Sequence, residues 1–172
     1  NGAAAFSVSD TGTDNYFVTW NWGLGYEQRT EIVNLDSGGS QSANGGLSTA
    51  QAISADGRYV VFSSFGAYDG QGGGNTHIFV KDMVTGAVTL VSKSTGGILA
   101  NGHCFSPAIS GNGRVVAFTS SATNLVADDT NGLDDVYVYD LTTGVCERVS
   151  IKTGGDEAFG GSSYSPNLSF NG

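Results

Sequence analysis

The sequence predicts an all-β protein assembled from repeated four-stranded antiparallel units, and three observations carry this prediction. The 172 residues include 27 glycines and only 13% are charged, which disfavours long helices and coiled coils. Asn-Gly and Asp-Gly pairs separate runs rich in β-branched and aromatic residues, which is the strongest short hairpin signal. Long segments also recur at an offset of 56–59 residues, which predicts a repeated structural unit.

Composition and charge exclude several classes of protein. No apolar run approaches the roughly 20 residues of a membrane-spanning helix, so no membrane span is expected. Seven basic against 16 acidic residues give a net charge of −9, which argues against nucleic acid as a partner. The chain opens without the basic region of a signal peptide, yet its acidity and low lysine content are typical of exported proteins. We expect an extracellular or periplasmic protein whose leader is absent from this chain.

The repeat is carried by three matching blocks. The first block is AISADGRYVVFSS at 52–64, which matches AISGNGRVVAFTS at 108–120. The second is VKDMVTG at 80–86, which matches VYDLTTG at 138–144. The third begins with VS and ends with TGG in both copies, at 91–97 and at 149–155. Partial copies lie at 165–172, which repeats 106–113, and at 31–39, which matches 147–155. We expect a single propeller domain, 1–172, with blade units at approximately 1–44 plus 165–172, 45–97 and 98–155. It is circularly cut at the turn between the first and second strands.

Each unit is predicted to contain four strands. The expected strands are 50–54, 58–64, 77–82 and 87–93 in the second unit, and 106–110, 114–120, 135–141 and 145–151 in the third. The first unit has 3–9, 15–22 and 28–35 and lacks an opening strand, whereas 165–170 is an opening strand without followers. Four antiparallel strands in a unit of this length fit a propeller blade, so about three blades are expected.

The third unit carries the clearest family resemblance. Its residues 106–110 read SPAIS, an acidic loop follows at 129–135, and the next strand ends DLTTG at 140–144. This pattern resembles the TolB-type β-propeller repeat. The resemblance covers 45–172 well and 1–44 poorly, and the second unit departs from it by having glycines at 70–74 in place of the acidic loop. It implies a propeller that serves as a binding module, a scaffold or an enzyme accessory, without choosing among them.

The acidic loop of the third unit is a candidate calcium site. Four carboxylates and one amide lie within the eight residues 128–135, and Ca²⁺ takes six to eight oxygen ligands. The expected contacts are Asp129, Asn131, Asp134 and Asp135. The alternative is a solvated acidic turn whose side chains cap local backbone amides.

Aromatic residues concentrate in the divergent first unit. Trp20 and Trp22 lie on one face of a predicted strand, and Tyr26 follows closely. Exposed aromatics could stack on sugar rings or anchor a protein partner. The alternative is packing between blades.

Cysteines and histidines point to no catalytic residue. Cys104 and Cys146 could form one disulfide or be two buried free thiols, and the sequence leaves both open. His77 and His103 lie in no nucleophile or metal motif, and adjacent residues on a strand face opposite ways, which disfavours a pair between His103 and Cys104.

The combined expectation is a non-catalytic, secreted binding or scaffold module that binds a protein or glycan and associates with itself. The C-terminal strand of one chain would complete the first blade of another, so that two chains close a six-bladed ring. An open filament is a minor variant. The alternatives are a glycan-binding lectin that uses the aromatic surface, and a hydrolase or a fragment of a larger propeller enzyme.

Overall fold

The computed structural model describes residues 5–10, 16–21, 29–41, 51–158 and 160–172, and for 5–10, 16–21, 29–30 and 51 it describes the backbone alone. All regular structure in these ranges is β. The strands are β1 Ala5–Asp10, β2 Tyr16–Asn21, β3 Arg29–Ile32, β4 Gln51–Ile53, β5 Tyr59–Ser64, β6 Ala67–Tyr68, β7 Gln71–Gly72, β8 His77–Asp82, β9 Val88–Leu90, β10 Cys104–Ile109, β11 Val115–Ser120, β12 Asp135–Asp140 and β13 Cys146–Arg148. The predicted all-β class is confirmed.

The strands form three sheets that follow the repeat. The first unit is the three-stranded sheet β1-β2-β3, the second is β4-β5-β8-β9, and the third is β10-β11-β12-β13, all antiparallel and in chain order. We call residues 160–172 the C-terminal segment. Its residues 165–170, predicted to be a strand, have no ladder partner among the described residues. The count of three blades and the circular cut stay predictions.

A small hairpin interrupts the second unit where the sequence indicates only a glycine-rich loop. Its strands β6 and β7 are joined by Asp69 and Gly70, with φ of 51° and 74°. Two successive residues of positive φ make the turn that matches the twist of a hairpin. The Asp-Gly pair was therefore a usable signal for this element.

The repeated motifs meet inside each complete unit. Arg58, after the Asp-Gly turn, donates from Nη2 to Asp82 Oδ2 at 2.9 Å. The backbone N–H groups of Val84 and Thr85 also donate to Asp82, at 2.9 and 3.3 Å. Burial works against ionisation, but these donors outweigh it and lower the pKa of Asp82 to about 2. In the third unit Arg114 and Asp140 form the same pair at 2.7 Å, because they occupy the corresponding positions of the repeated motifs.

The core lies between successive sheets. One buried cluster joins Val33, beyond β3, to the second unit through side chains such as Phe62 and Phe79. A second joins Val61 and Ile78 of the second unit to the third unit; its third-unit members include Val116, Phe118 and Tyr137. Alternate residues of β5 therefore face opposite neighbours, as strand geometry requires. Full burial of each such side chain is worth roughly 1.5–3 kcal/mol, so packing between neighbouring units contributes to the stability of both.

Candidate functional site: the interface between repeat units

The contact between the second and third units begins with two backbone hydrogen bonds. Cys104, at the start of β10, donates its N–H to the carbonyl oxygen of Thr76 at 2.8 Å. At the other end of the innermost strands, Ala55 donates to the carbonyl oxygen of Gly111 at 2.8 Å. These bonds fix the innermost strand of one unit along its neighbour at both ends, and bonds of this kind hold buried backbone groups satisfied.

The C-terminal segment repeats this contact on the third unit. Ser163 donates its N–H to the carbonyl oxygen of Asp134 at 2.8 Å, at the positions that correspond to Cys104 and Thr76. At the other end Asn112, one residue beyond the position that corresponds to Ala55, donates to the carbonyl oxygen of Phe170 at 2.9 Å. The segment therefore lies where the innermost strand of a following unit belongs.

The backbone of the C-terminal segment also copies that of β10. Ser106 has φ of 51° and Ser165 has φ of 54°, and each precedes a proline. Positive φ is uncommon for residues other than glycine. In β10 it coincides with a register shift between Phe105 and Ala108. Ser165 therefore adopts a bulge conformation although no strand is paired with it in the described structure.

A cleft opens between the second and third units beside their Asp-Gly and Asn-Gly turns. Its volume is about 340 Å³. The second unit contributes five lining residues: Tyr59, Val80, Asp82, Ala87 and Thr89. The third unit covers it with Asn112, Gly113, Arg114, Leu141 and Thr142. The cleft is thus a small part of the interface that two consecutive units build together.

The third unit presents the same surface on its other side. A cleft of about 340 Å³ is lined there by Val115, Val138, Asp140, Val145 and Glu147, which occupy the five equivalent positions, together with Thr143. Of the covering residues, the described chain supplies a counterpart for Gly113: a Cβ on Gly172 would lie 2.8 Å from Val115 Cγ2. We name this cleft the open face.

The acidic loop folds around an arginine. Arg148 Nη1 lies 2.6 Å from Glu157 Oε1, 3.5 Å from Asp135 Oδ2 and 3.6 Å from Asp129 Oδ1. All four side chains are at most 9% exposed. The Tyr137 hydroxyl donates to the other oxygen of Asp129. Burial is the main cause that raises the pKa of Asp129.

The four residues predicted to bind calcium do not all lie in this cluster. Asn131 donates to Asp135 Oδ2 at 3.0 Å, so both lie with Asp129 near Arg148, whereas Asp134 is bound through its backbone N–H to Ser162 Oγ at 3.1 Å. In the described part of the chain, no three acidic, histidine or cysteine side chains are grouped so as to hold a metal ion. Three carboxylates still face a single guanidinium, and Asp129 Oδ1 has no hydrogen bond. Calcium binding stays a prediction, and it would require these oxygens to turn from Arg148.

The arginine cluster was missed at the level of sequence, although a signal existed. Arg148 and Glu157 occupy the positions of Leu90 and Leu99 in the second unit. Two apolar positions have become charged together, with opposite signs. Opposite charges at two positions that are apolar in the other copy indicate an ion pair, because a lone buried charge is costly.

The two cysteines are free thiols in the structure, and both are buried in the cluster between the second and third units. Burial raises the pKa of each thiol to about 12. Cys104 Sγ lies 3.2 Å from Ser120 Oγ. Thiols with such pKa values are protonated and unreactive at neutral pH. The disulfide, one of two alternatives, stays a prediction.

Both histidines take structural positions. His77 is fully buried, its Nδ1 lies 3.2 Å from Ser92 Oγ, and burial lowers its pKa. His103 Nδ1 accepts the backbone N–H of Thr76 at 3.1 Å. These contacts hold both imidazole rings at the junction of the second and third units.

The predicted aromatic surface is described only in part. Trp20 lies in β2, where its backbone is opposite Phe6 and Arg29. Trp22 and Tyr26 lie outside the described residues. Binding of a glycan or protein by these aromatics therefore stays a prediction.

In the part of the chain that the structure describes, no helix is long and apolar enough to cross a membrane.

Comparison with known proteins adds likenesses of fold. No family model matches the sequence, and no curated protein matches it. Similar solved structures include TolB from Acinetobacter baumannii, at 20% identity and a TM-score of 0.45 over 84% of this chain and 29% of that chain. The tricorn protease is similar at 16% identity and a TM-score of 0.48, over 82% of this chain and 13% of that one. A protein assigned as TolB from Agrobacterium tumefaciens is similar at 16% identity and a TM-score of 0.41, over 86% and 61%.

The chain is all-β, and its repeated antiparallel sheets are typical of β-propeller blades, as its sequence motifs predict. Its own stacked, repeated sheets carry that conclusion, and the likenesses concern the fold alone. The chain spans less than two thirds of the length of each of these three structures.

Proposed function

We propose that this protein is a non-catalytic β-propeller module, exported to the periplasm or cell exterior, that acts by binding macromolecules and associates with a second copy of itself. The association closes two chains into a six-bladed ring. One observation carries the proposal: the surface that the second unit buries under the third is formed again on the third unit, as the open face.

The chemistry of the open face supports an assembly surface over a small-molecule site. Val115, Val138 and Val145 line it with apolar side chains, and the charged residues of its wall are Glu147 and Asp140, of which Asp140 is paired with Arg114. In the C-terminal segment, Phe170 and Tyr164 are 64% and 58% exposed. Large exposed apolar side chains are a feature of surfaces that contact other proteins. The acidity of the whole chain keeps other surfaces soluble.

Sedimentation equilibrium, in Ca²⁺ and in chelator, tests this proposal. The expected mass is that of two chains, about twice 17.6 kDa. Val138→Glu would place a charge in the open face and is expected to give a one-chain mass. Val84→Glu is the matched control, because Val84 is 76% exposed in a turn and should leave the two-chain mass unchanged.

Circular dichroism establishes that both variants are folded, and Val145→Glu provides a second, more peripheral charge in the open face. A one-chain mass for the unmodified protein at concentrations up to the millimolar range would overturn the proposal. So would an unchanged two-chain mass in folded variants of both Val138 and Val145.

A further inference from the structure

We infer that His77 makes the junction between the second and third units sensitive to acid. Protonation of its buried ring opens this junction, together with the β6–β7 hairpin that packs against it, to water. The groups involved belong to one chain, so the inference goes beyond the proposed function and does not depend on self-association.

The ring of His77 is enclosed where the second unit, the third unit and the β6–β7 hairpin meet. His77 begins β8 and has no exposed surface. Its neighbour Thr76 accepts, on the carbonyl oxygen, the N–H of Cys104 at the start of the third unit, at 2.8 Å. From the hairpin, a Cβ on Gly72 would lie 3.5 Å from His77 Cδ2 and 2.8 Å from Phe79 Cζ. A glycine therefore allows the hairpin to close over the ring, and water reaches the ring only when the hairpin or the junction opens.

A chain of polar groups links the ring to the third unit. His77 Nδ1 lies 3.2 Å from Ser92 Oγ, which also accepts the backbone N–H of Ile78 at 3.1 Å. Ser92 in turn contacts the thiol of Cys104, and that thiol lies 3.2 Å from Ser120 Oγ. A neutral imidazole keeps one nitrogen as an acceptor, whereas a protonated one donates from both. Protonation therefore turns the proton of the Ser92 hydroxyl towards the thiol, so the change of charge acts on the third unit.

The surroundings of the ring offer no counter-charge. His103, at the start of the third unit, is the ionisable group whose charge acts on His77, and it repels a second positive charge. On the hairpin, Tyr68 places its hydroxyl 3.3 Å from Oγ of Ser64, the residue opposite His77 in β5. This hydroxyl and the Cys104 thiol are uncharged in mild acid. No carboxylate among the described residues acts on the ring.

Acid favours the opened form because the enclosed ring resists protonation. Burial lowers the pKa of His77 below its ordinary 6.5, although the backbone of Gly73 acts in the opposite sense. In the described part of the chain Nε2 has no hydrogen-bond partner. A group whose pKa is lower when enclosed takes up its proton preferentially when it is exposed to water. The opened form therefore gains population as the pH falls below 6.5, and above that pH the ring is neutral in both forms.

Reaction of Cys104 with 4,4′-dithiodipyridine measures the opening, because this thiol is buried in the junction. The unmodified protein is treated at pH 7.5 and at pH 5.5, and peptide mass spectrometry follows Cys104. Each rate is divided by the rate of the chain unfolded in urea at the same pH, which removes the thiol's own dependence on pH. For one proton and an ordinary pKa in the opened form, we expect the normalised rate to be about tenfold higher at pH 5.5. An unchanged normalised rate would overturn the inference.

His77→Gln tests which group is responsible, since it removes the titratable ring and keeps a polar side chain. The tenfold rise should disappear in this variant. His103→Gln is the matched control, because His103 lies at the same junction, and it should retain most of the rise. A rise that survives His77→Gln, or one that only His103→Gln abolishes, would overturn the assignment to His77.

A second measurement leaves His77 in place and so does not depend on the folding of its variant. The chain contains two histidines, so an NMR spectrum of histidine-labelled His103→Gln reports on the His77 ring alone. We expect the ring of the folded protein to stay neutral as the pH is lowered from 7.5 to 5.5. A ring that titrates in the folded protein with a midpoint at or above 6.5 would overturn the inference, because the enclosed site would then not resist protonation.

Discussion

Gly113 of the third unit lies directly against the ring of Tyr59 in the second: a Cβ at Gly113 would meet Tyr59 Cδ2 at 2.5 Å. Gly172 and Val115 stand in the same relationship one unit further on. The glycine of the Asn-Gly turn therefore has two tasks. It supplies a positive φ of 72°, and it allows the turn to approach the preceding unit.

Gly113→Ala is expected to destabilise the protein by more than its backbone conformation alone requires. Strain at positive φ costs about 1 kcal/mol, and overlap with a packed ring adds roughly 1–3 kcal/mol. Gly86→Ala is the control, since Gly86 has φ of 79° and no atom within 4 Å of its Cβ position. Urea unfolding measures both, and equal losses would show that the approach to Tyr59 costs nothing.

The lowered pKa of Asp82 predicts how the free energy of unfolding depends on pH in acid. Its pKa is held at about 2 in the folded protein, below the ordinary 3.8, so its stabilisation is complete above pH 4 and is lost as the pH falls towards 2. The Arg58 partner is 43% exposed, which reduces the expected contribution to on the order of 1–2 kcal/mol. Asp82→Asn should remove that amount at pH 7 and flatten the dependence of stability on pH between 4 and 2.

Asp156→Asn serves as the control for this experiment, because Asp156 is an exposed carboxylate in a turn. Urea titrations at several pH values compare the two variants. If Asp82→Asn retained the full acid limb of the unmodified protein, the pair of Asp82 with Arg58 would not be its source.

Much of the fold followed from sequence because each unit repeats both its turns and its apolar alternation. β8, predicted at 77–82, is found at His77–Asp82. β10 was placed too late, at 106–110 instead of Cys104–Ile109. A proline has no N–H to donate, so Pro107 is expected to interrupt the strand. In the structure Ser106 has a positive φ and the register shifts between Phe105 and Ala108, so a β-bulge accommodates the proline and pairing resumes beyond it.

The interface was less accessible to sequence than the strands. Arg148 meets Glu157 and Asp135, which lie 9 and 13 residues away on opposite sides of it, and only the fold brings them together. To predict the residues that line the open face, one would have to know which side chains of each strand face the preceding unit and which face the following one. The repeat contained that information, since five residues that line the open face occupy the positions of the five second-unit residues that line the other cleft.

The two thiols predict a simple pattern of reactivity. Cys104 and Cys146 are buried, and both have a pKa of about 12, so a thiol reagent should modify neither in the native protein at pH 8. Two thiols per chain should react after unfolding in denaturant without reductant. A count of zero would show that the two residues are joined, and a fast native reaction would show that the interface between the units opens.

The buried cluster of Arg148 with Asp129, Asp135 and Glu157 allows a prediction about stability. Removal of one partner from a buried ion pair costs about 3–5 kcal/mol, because the remaining charge is left uncompensated. Arg148→Leu installs the residue that the second unit has at this position, yet it leaves Asp129, Asp135 and Glu157 together. We expect a loss of that size in urea unfolding at pH 7.

The matched variant adds Glu157→Leu to Arg148→Leu, which makes both positions like Leu90 and Leu99 of the second unit. It should be more stable than Arg148→Leu alone, because one buried negative charge leaves with the positive one. The deficit of the single variant should also shrink as the pH is lowered from 7 to 5. Without the guanidinium the raised pKa of Asp129 rises further, and a protonated carboxyl needs no counter-charge. A single variant as stable as the unmodified protein, or a deficit that grows on acidification, would contradict this account of the cluster.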